Sequence, residues 1–301
     1  MKPTRRTFIK QSAMAVAATT LSGKLFARHA SEIITGVQLY SIRDDMKKDP
    51  MATLKQLAAM GYKHVEHANY VNRKFYGWTA KEFKQILDDL GLKMPSGHTV
   101  LGKAHWDDSK NDFTDTWKHT VEDAAICGQQ FVISPWLDNT WRNSESTLKK
   151  YMDVFNKSGE LCKQSGMRYG YHNHDFEFSE KLGVKTVYDH IMENTDPDLV
   201  IQQLDIGNLY NGGAKAIDIV KKYPGRFQSM HVKDEITSKE GNEKYESTIL
   251  GTGIVPVKEV IDLGKTSGGT IHFIIEQESY QGKTPLDCVK EDLVIMKKWG
   301  Y

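Results

Sequence analysis

Gly61-Tyr62-Lys63-His64-Val65-Glu66 is one unit of the pattern that decides the fold: a glycine ends a helical stretch, a β-type run comes next, and the run closes on a polar side chain. Gly91, Gly128, Gly166, Gly225 and Gly268 punctuate the chain in the same way. Glycine suits the position after a helix because it enters the left-handed conformation with no Cβ penalty. Working outward, β-branched and aromatic runs predict eight strands, near 34–39, 64–66, 92–96, 130–134, 167–174, 200–205, 228–232 and 271–276. Between strands lie amphipathic helices. Pro50–Met60 gathers Met51, Leu54, Leu57 and Ala58 on one face, and 79–90 gathers Phe83, Ile86, Leu87 and Leu90. Asp49-Pro50 reads as a helix start, and Thr79 with Glu82 as a capping box. Strands alternating with helices at this spacing are parallel and covered on the outside. The expectation is an α/β fold, a (β/α)8 barrel.

The first 30 residues stand apart from this repeat. Thr4-Arg5-Arg6-Thr7-Phe8-Ile9-Lys10 precedes an acid-free apolar run from Ala13 to Leu21, which resembles a twin-arginine export signal over residues 1–30. That run is too short to span a bilayer. It implies export in the folded state by the twin-arginine machinery, a periplasmic destination, and no stable membrane insertion once the signal is removed. Residues 31–301 then form one domain, near the usual barrel size of about 250 residues, with no Pro- or Gly-rich linker to divide them. Cys127, Cys162 and Cys288 form no Cys-x-x-Cys pair and are odd in number, so buried thiols are expected rather than disulfides or structural zinc. With 40 basic against 39 acidic side chains and no long Lys or Arg run, a nucleic-acid partner is excluded.

The chemistry-bearing residues fall at the C-terminal ends of the expected strands: Glu66, His98, His172 with His174, Asp205, His231 with Lys233, and Glu276. In a barrel that end is the mouth where active sites are built. Side chains alternate along a strand, so His172 and His174 are expected on one face, as are His231 and Lys233, and Glu276 and Glu278. Two carboxylates and two imidazoles arriving from four strands suit Mn²⁺, Zn²⁺, Co²⁺ or Mg²⁺ with positions open to substrate oxygens. The long polar segments 99–116 and 235–248 come after strands and read as loops on the substrate side.

Six stretches carry a resemblance that covers nearly all of the chain after the signal. They are Gly36-Val37-Gln38-Leu39-Tyr40-Ser41-Ile42-Arg43, Gly61 to Glu66, Tyr171-His172-Asn173-His174-Asp175-Phe176-Glu177-Phe178, Leu204-Asp205-Ile206-Gly207, His231-Val232-Lys233-Asp234 and Ile275-Glu276-Gln277-Glu278. Together they resemble the xylose isomerase-like TIM-barrel superfamily, and within it the sugar phosphate isomerase/epimerase group. The resemblance implies a divalent metal on His172, Asp205, His231 and Glu276. It implies a carbohydrate substrate and removal of a proton next to a carbonyl, with Glu276, Lys233 and Glu66 as catalytic candidates. His98, His174, Tyr40 and Trp136 are candidates to hold the substrate, the two aromatics by stacking on a sugar ring.

One position departs from the pattern. Ketose 3-epimerases of this superfamily carry Glu where this chain carries His172, and a symmetric epimerase needs two carboxylates on opposite faces of the sugar carbon. A metal-dependent sugar isomerase or epimerase is therefore expected first, and a dehydratase or lyase acting on a keto sugar or inosose by β-elimination second. Export argues against a phosphorylated substrate. A non-catalytic sugar-binding barrel would have no need of converging ligands, and a barrel endonuclease would need a richer metal set and a basic groove.

Overall fold

The computed structural model describes residues 33–238 and 244–301, so the expected export signal at 1–30 lies outside the described residues. Eight parallel strands close into a barrel: β1 (Ile34–Gln38), β2 (His64–His67), β3 (Lys93–His98), β4 (Phe131–Ser134), β5 (Arg168–His172), β6 (Val200–Asp205), β7 (Ser229–Val232) and β8 (His272–Ile275). Each strand pairs with its neighbour in chain order, and β8 returns to β1 with Val37 opposite Ile275. This is the expected (β/α)8 architecture.

The principal helices are α1 (Pro50–Met60), α2 (Ala80–Asp89), α3 (Asp115–Ile126), α4 (Glu145–Gln164), α5 (Val187–Asn194), α6 (Ala216–Lys222), α7 (Val257–Leu263) and α8 (Pro285–Lys298). Local chemistry starts them where the sequence says. Asp49 accepts from the Ala52 amide ahead of Pro50, and Thr79 and Glu82 close a reciprocal capping box. The apolar faces of α1 and α2, through Leu54, Leu57, Phe83 and Leu87, are buried in a cluster with Val37, Val65 and Met94 from the strands. The three cysteines are free and buried, as expected. Among the described residues no helix is long and apolar enough to cross a membrane.

Two details differ from the sequence reading. The glycine with a left-handed backbone before β8 is Gly269 (φ 78°), not Gly268, because the chain after α7 widens into a π turn over Gly264–Gly268. More consequential for the site, β5 stops at His172, β7 at Val232 and β8 at Ile275. His174, Lys233, Glu276 and Glu278 therefore stand in the turns beyond the strands, where side-chain alternation no longer governs direction.

Lys233 is nevertheless fixed in place by its chain neighbour Asp234. The Asp234 carboxylate accepts the backbone N–H groups of Glu235, Gly251, Gly253 and Val255. It thereby ties the hairpin of Asp234–Thr237 and Tyr245–Thr248 down onto the barrel rim.

Candidate metal and substrate site

Beneath the mouth, one carboxylate and one amide decide where the protons of three histidines lie. Glu66 on β2 is fully buried. Its Oε1 accepts from Gln38 Nε2 (2.8 Å) and faces His231 Nε2 (2.6 Å); its Oε2 accepts from Ser96 Oγ and from Gln203 Nε2 (2.9 Å). Burial opposes the charge, but His98 and His231 and these donors hold Glu66 down to about 2. An ionised carboxylate only accepts, so His231 Nε2 carries a hydrogen. With Gln203 Nε2 committed to Glu66 and Ser229, Gln203 Oε1 is left facing His98 Nε2 (2.6 Å) and His172 Nδ1 (3.0 Å). Both of those nitrogens therefore donate as well.

The consequence is that His172 Nε2, an acceptor, and His231 Nδ1, whose hydrogen faces the ionised Glu276 and would give way to a cation, converge on the same point. There they meet Asp205 Oδ2 at 3.9 and 3.8 Å, and Glu276 Oε2 lies 3.0 Å from His231 Nδ1. The four ligand atoms of His172, Asp205, His231 and Glu276 lie within 4.8 Å of one another. Asp205 Oδ1 is occupied by the amides of Gly207 (2.9 Å) and Asn208 (2.7 Å), whereas its buried Oδ2 has no hydrogen-bond partner among the described residues. A buried polar atom without a partner is costly. A divalent cation here would answer it, and two imidazoles with two carboxylates form a donor set that Zn²⁺, Mn²⁺, Co²⁺ and Mg²⁺ accept to differing degrees. The residues present thus fit the metal that the resemblance implies.

Electrostatics agree with that fit. Burial pushes Asp205 up, assisted by Glu276 and opposed by Lys233. Burial acts on Glu276 too, but His231 and Lys233 outweigh it and keep Glu276 ionised. Burial opposes charging of His231, yet Glu276 and Glu66 on either side push it up to about 10. A proton or a cation at Nδ1 answers the same carboxylates.

Above this point opens a cavity of about 1120 Å³, lined by Tyr40, His98, Trp136, His172, His174 and Glu276 among others. The volume slightly exceeds the range of about 300–1,000 Å³ usual for small-molecule sites. Both loops expected on the substrate side contribute to it, through Thr99, Val100 and His105 from one and Tyr245, Glu246 and Ser247 from the other. Trp136 and Tyr40 are exposed at the rim. Trp136 meets His174 edge-on at 5.3 Å, and Arg43 covers one face of Tyr40 at 4.6 Å. Burial, with Lys233 nearby, holds His174 down to about 4, leaving it a neutral imidazole whose buried Nδ1 has no partner among the described residues.

Two candidates take other positions than the sequence suggested. Glu66, expected to transfer protons to substrate, lies below the cavity with both oxygens saturated, and acts instead on His231. Lys233, expected to steady a developing oxyanion, has its ammonium committed to Asn208 Oδ1 (3.0 Å) and Glu278 Oε1, with Glu276 Oε2 at 3.5 Å and Asp205 Oδ2 at 3.7 Å. An ammonium has three hydrogens, and here they face protein oxygens at the wall of the cavity that Lys233 lines. The sequence reading missed Gln203. Its signal was the period of two, which puts Gln203 on the inner face with Asp205, just as Ser229 lies with His231 and Ser96 with His98.

The fold has counterparts among known proteins. The family described as xylose isomerase-like TIM barrel matches residues 54–299. A Clostridium botulinum protein named inosose dehydratase is 31% identical over 230 residues, covering 71% of this chain and 64% of its own length. The matched region thus spans less than two thirds of that relative. A second inosose dehydratase, from Clostridium beijerinckii, is 26% identical over 249 residues, covering 78% of this chain and 70% of its own. Among solved structures, a sugar phosphate isomerase/epimerase from Parabacteroides distasonis superposes with a TM-score of 0.74 at 25% identity, covering 90% of this chain and 95% of its own. With the family pattern running from α1 to α8 over a closed eight-stranded barrel, this chain belongs to the xylose isomerase-like TIM barrel family.

Proposed function

We propose that this chain is a divalent-metal-dependent carbohydrate lyase that eliminates water from a keto sugar or an inosose, with metal-dependent sugar isomerisation or epimerisation as the second reading. The observation that carries the metal is the unpartnered, buried Oδ2 of Asp205 at the point where His172 Nε2 and His231 Nδ1 converge. The preference for elimination rests on His172, which brings an imidazole to the cluster from β5 where a symmetric epimerase would bring its second carboxylate. The inosose dehydratase relatives favour elimination, and the Parabacteroides neighbour favours the isomerase reading.

When bound, the ion supplies a Lewis acid for the substrate carbonyl and an adjacent hydroxyl. The chain supplies the proton transfer. Glu276 lines the cavity, and its hydrogen bonds use Oε2 alone among the described residues, so Oε1 is the base we assign. It takes the proton next to the carbonyl; the C–H electron pair becomes the new C=C bond, the β C–O bond breaks, and the same proton returns to the departing hydroxyl as water. One carboxylate serves both steps. His98 and His174 offer polar contacts to substrate hydroxyls, and Trp136 and Tyr40 offer rings at the rim.

The test is to incubate protein of known metal content with inososes and keto sugars and follow product mass. Loss of one water supports elimination, an unchanged mass with a new isomer supports the second reading, and a protein that takes up no Mn²⁺, Zn²⁺, Co²⁺ or Mg²⁺ sinks both. Export to the periplasm is proposed on Arg5 and Arg6. Cell fractionation of the parent beside an Arg5→Lys, Arg6→Lys variant tests it, retention of the variant in the cytoplasm being the expected result.

A further inference from the structure

The ammonium of Lys233 sits where a cation, rather than a proton donor to substrate, is wanted. It is buried, and its neighbours are Glu278 Oε1, Asn208 Oδ1 at 3.0 Å, Glu276 Oε2 at 3.5 Å and Asp205 Oδ2 at 3.7 Å. Three carboxylates and an amide oxygen are the kind of all-oxygen surrounding that a hard divalent ion takes. Two of those carboxylates, Asp205 and Glu276, also belong to the proposed metal cluster, so the ammonium and the metal position share a wall. A further carboxyl, Glu235, is buried on the same flank with Oε2 unpartnered. A Cβ built on Gly207 would come within 2.4 Å of Glu235 Oε1 and 2.8 Å of Lys233 Cγ. The bare Cα of Gly207 thus lets both side chains lie together.

Charge balance sharpens the point. Ionised Asp205, Glu276 and Glu278 carry three negative charges, which one divalent ion and one ammonium neutralise together. Removing the ammonium leaves one negative charge short of a counter-ion, on a partly exposed Glu278 set beside the buried Asp205 and Glu276. The oxygens that faced Nζ then gain by capturing a cation from solution.

We propose that Lys233 is a built-in cation occupying the place of a second divalent ion, and that it fixes this barrel at one metal per chain. The inference rests on the metal reading given above, and its test separates the two.

Parent, Lys233→Ala and Lys233→Arg proteins are loaded with Mn²⁺, freed of excess by gel filtration, and compared by elemental analysis and electron paramagnetic resonance. The parent and Lys233→Arg bind one ion each and give the spectrum of isolated Mn²⁺. Lys233→Ala binds two, with the exchange-coupled spectrum of neighbouring ions. Lys233→Ser, which leaves the same space and adds an oxygen, takes the place of the alanine variant if that variant does not fold. A folded Ala or Ser variant that still binds one ion overturns the proposal while leaving the single-metal reading intact; a parent that binds two overturns the proposal as well. A parent that binds none overturns the metal reading itself, and this proposal with it.

Discussion

Nε2 of His231 lies 2.6 Å from Oε1 of Glu66, and through that contact a residue outside the cavity decides which nitrogen of His231 faces the metal position. Replacing Glu66 by Gln removes the charge that orients the ring while nearly preserving its shape. Contacts of this kind typically change metal affinity about 10–100-fold. We expect Glu66→Gln to weaken Zn²⁺ or Mn²⁺ binding by about that factor in a chelator-competition titration, with an unchanged far-ultraviolet circular dichroism spectrum. Parental affinity in the variant would remove Glu66 from the account.

The cluster itself is tested by Asp205→Ala with His231→Ala. Ligand that binds only the folded state adds about 2.7 kcal/mol at a free concentration of one hundred times Kd. Saturating metal should therefore raise the melting temperature of the parent by several degrees, chelator should reverse the rise, and the double variant should respond to neither. A metal-dependent rise in the double variant would place the ion elsewhere.

At the rim, Trp136→Ala should raise KM with little change in kcat, because the exposed ring lines the cavity and packs edge-on against His174 and Phe176. An aromatic stacking contact is worth about 0.5–1.5 kcal/mol, so the expected increase is about 3–10-fold on whichever substrate the mass screen identifies. A fall in kcat at unchanged KM would mean that Trp136 acts on the chemistry, through His174.

Far from the mouth, Asp292 on α8 accepts from the Leu250 amide at 2.9 Å through Oδ1, while its buried Oδ2 has no partner among the described residues. Burial pushes this carboxyl up to about 7, against about 3.9 in an unfolded chain. The folded state then binds the proton in a range where the unfolded state has released it. The contribution of Asp292 is largest below about pH 4 and is lost as pH rises towards 7, with a slope of at most about 1.4 kcal/mol per pH unit. Urea melts of parent and Asp292→Asn should accordingly converge or cross as pH rises from 5 to 8, in favour of the variant. A constant difference between them would show that Asp292 titrates normally.

Gly97 on β3 lies against the buried ring of His67, so close that an added Cβ would stand 1.9 Å from His67 Cδ2 and 2.9 Å from Gln129 Nε2. Overpacking in a core typically costs about 1–3 kcal/mol, occasionally more, and Gly97→Ala should fall at or above the upper end. Gly91→Ala meets open space among the described residues and bears only the strain of a left-handed φ of 67°, so a cost of about 1–2 kcal/mol is expected. Equal urea midpoints for the two variants would contradict this reading.

The barrel was legible because its signals are local and repeated. Capping residues such as Asp49 and Thr79, the glycines after helices, and strands ending on polar residues each report on a few neighbouring positions. His172, Asp205, His231 and Glu276 were legible for the same reason, since a strand end in a barrel is already an address. What escaped was side-chain direction beyond the strand ends. His172 and His174 were expected to share a strand, and β5 stops between them. The saturation of Glu66 by Gln38, Ser96, Gln203 and His231 draws on four other strands, and the full coordination of Lys233 depends on Glu278 and Asn208 from distant turns. No local pattern in the sequence announces either arrangement.

The hydrogen bonds of Gln203 reach two histidines, Glu66 and Ser229 at once, and they are made wholly from the barrel floor. The imidazoles are thus held at the correct tilt by the scaffold and not by the ion they would carry. A protein arranged in this way should survive being stripped and refilled, like a die that keeps its shape between castings. One purified batch could then be charged in turn with different metals, so that each metal's effect on catalysis is read against an unaltered frame.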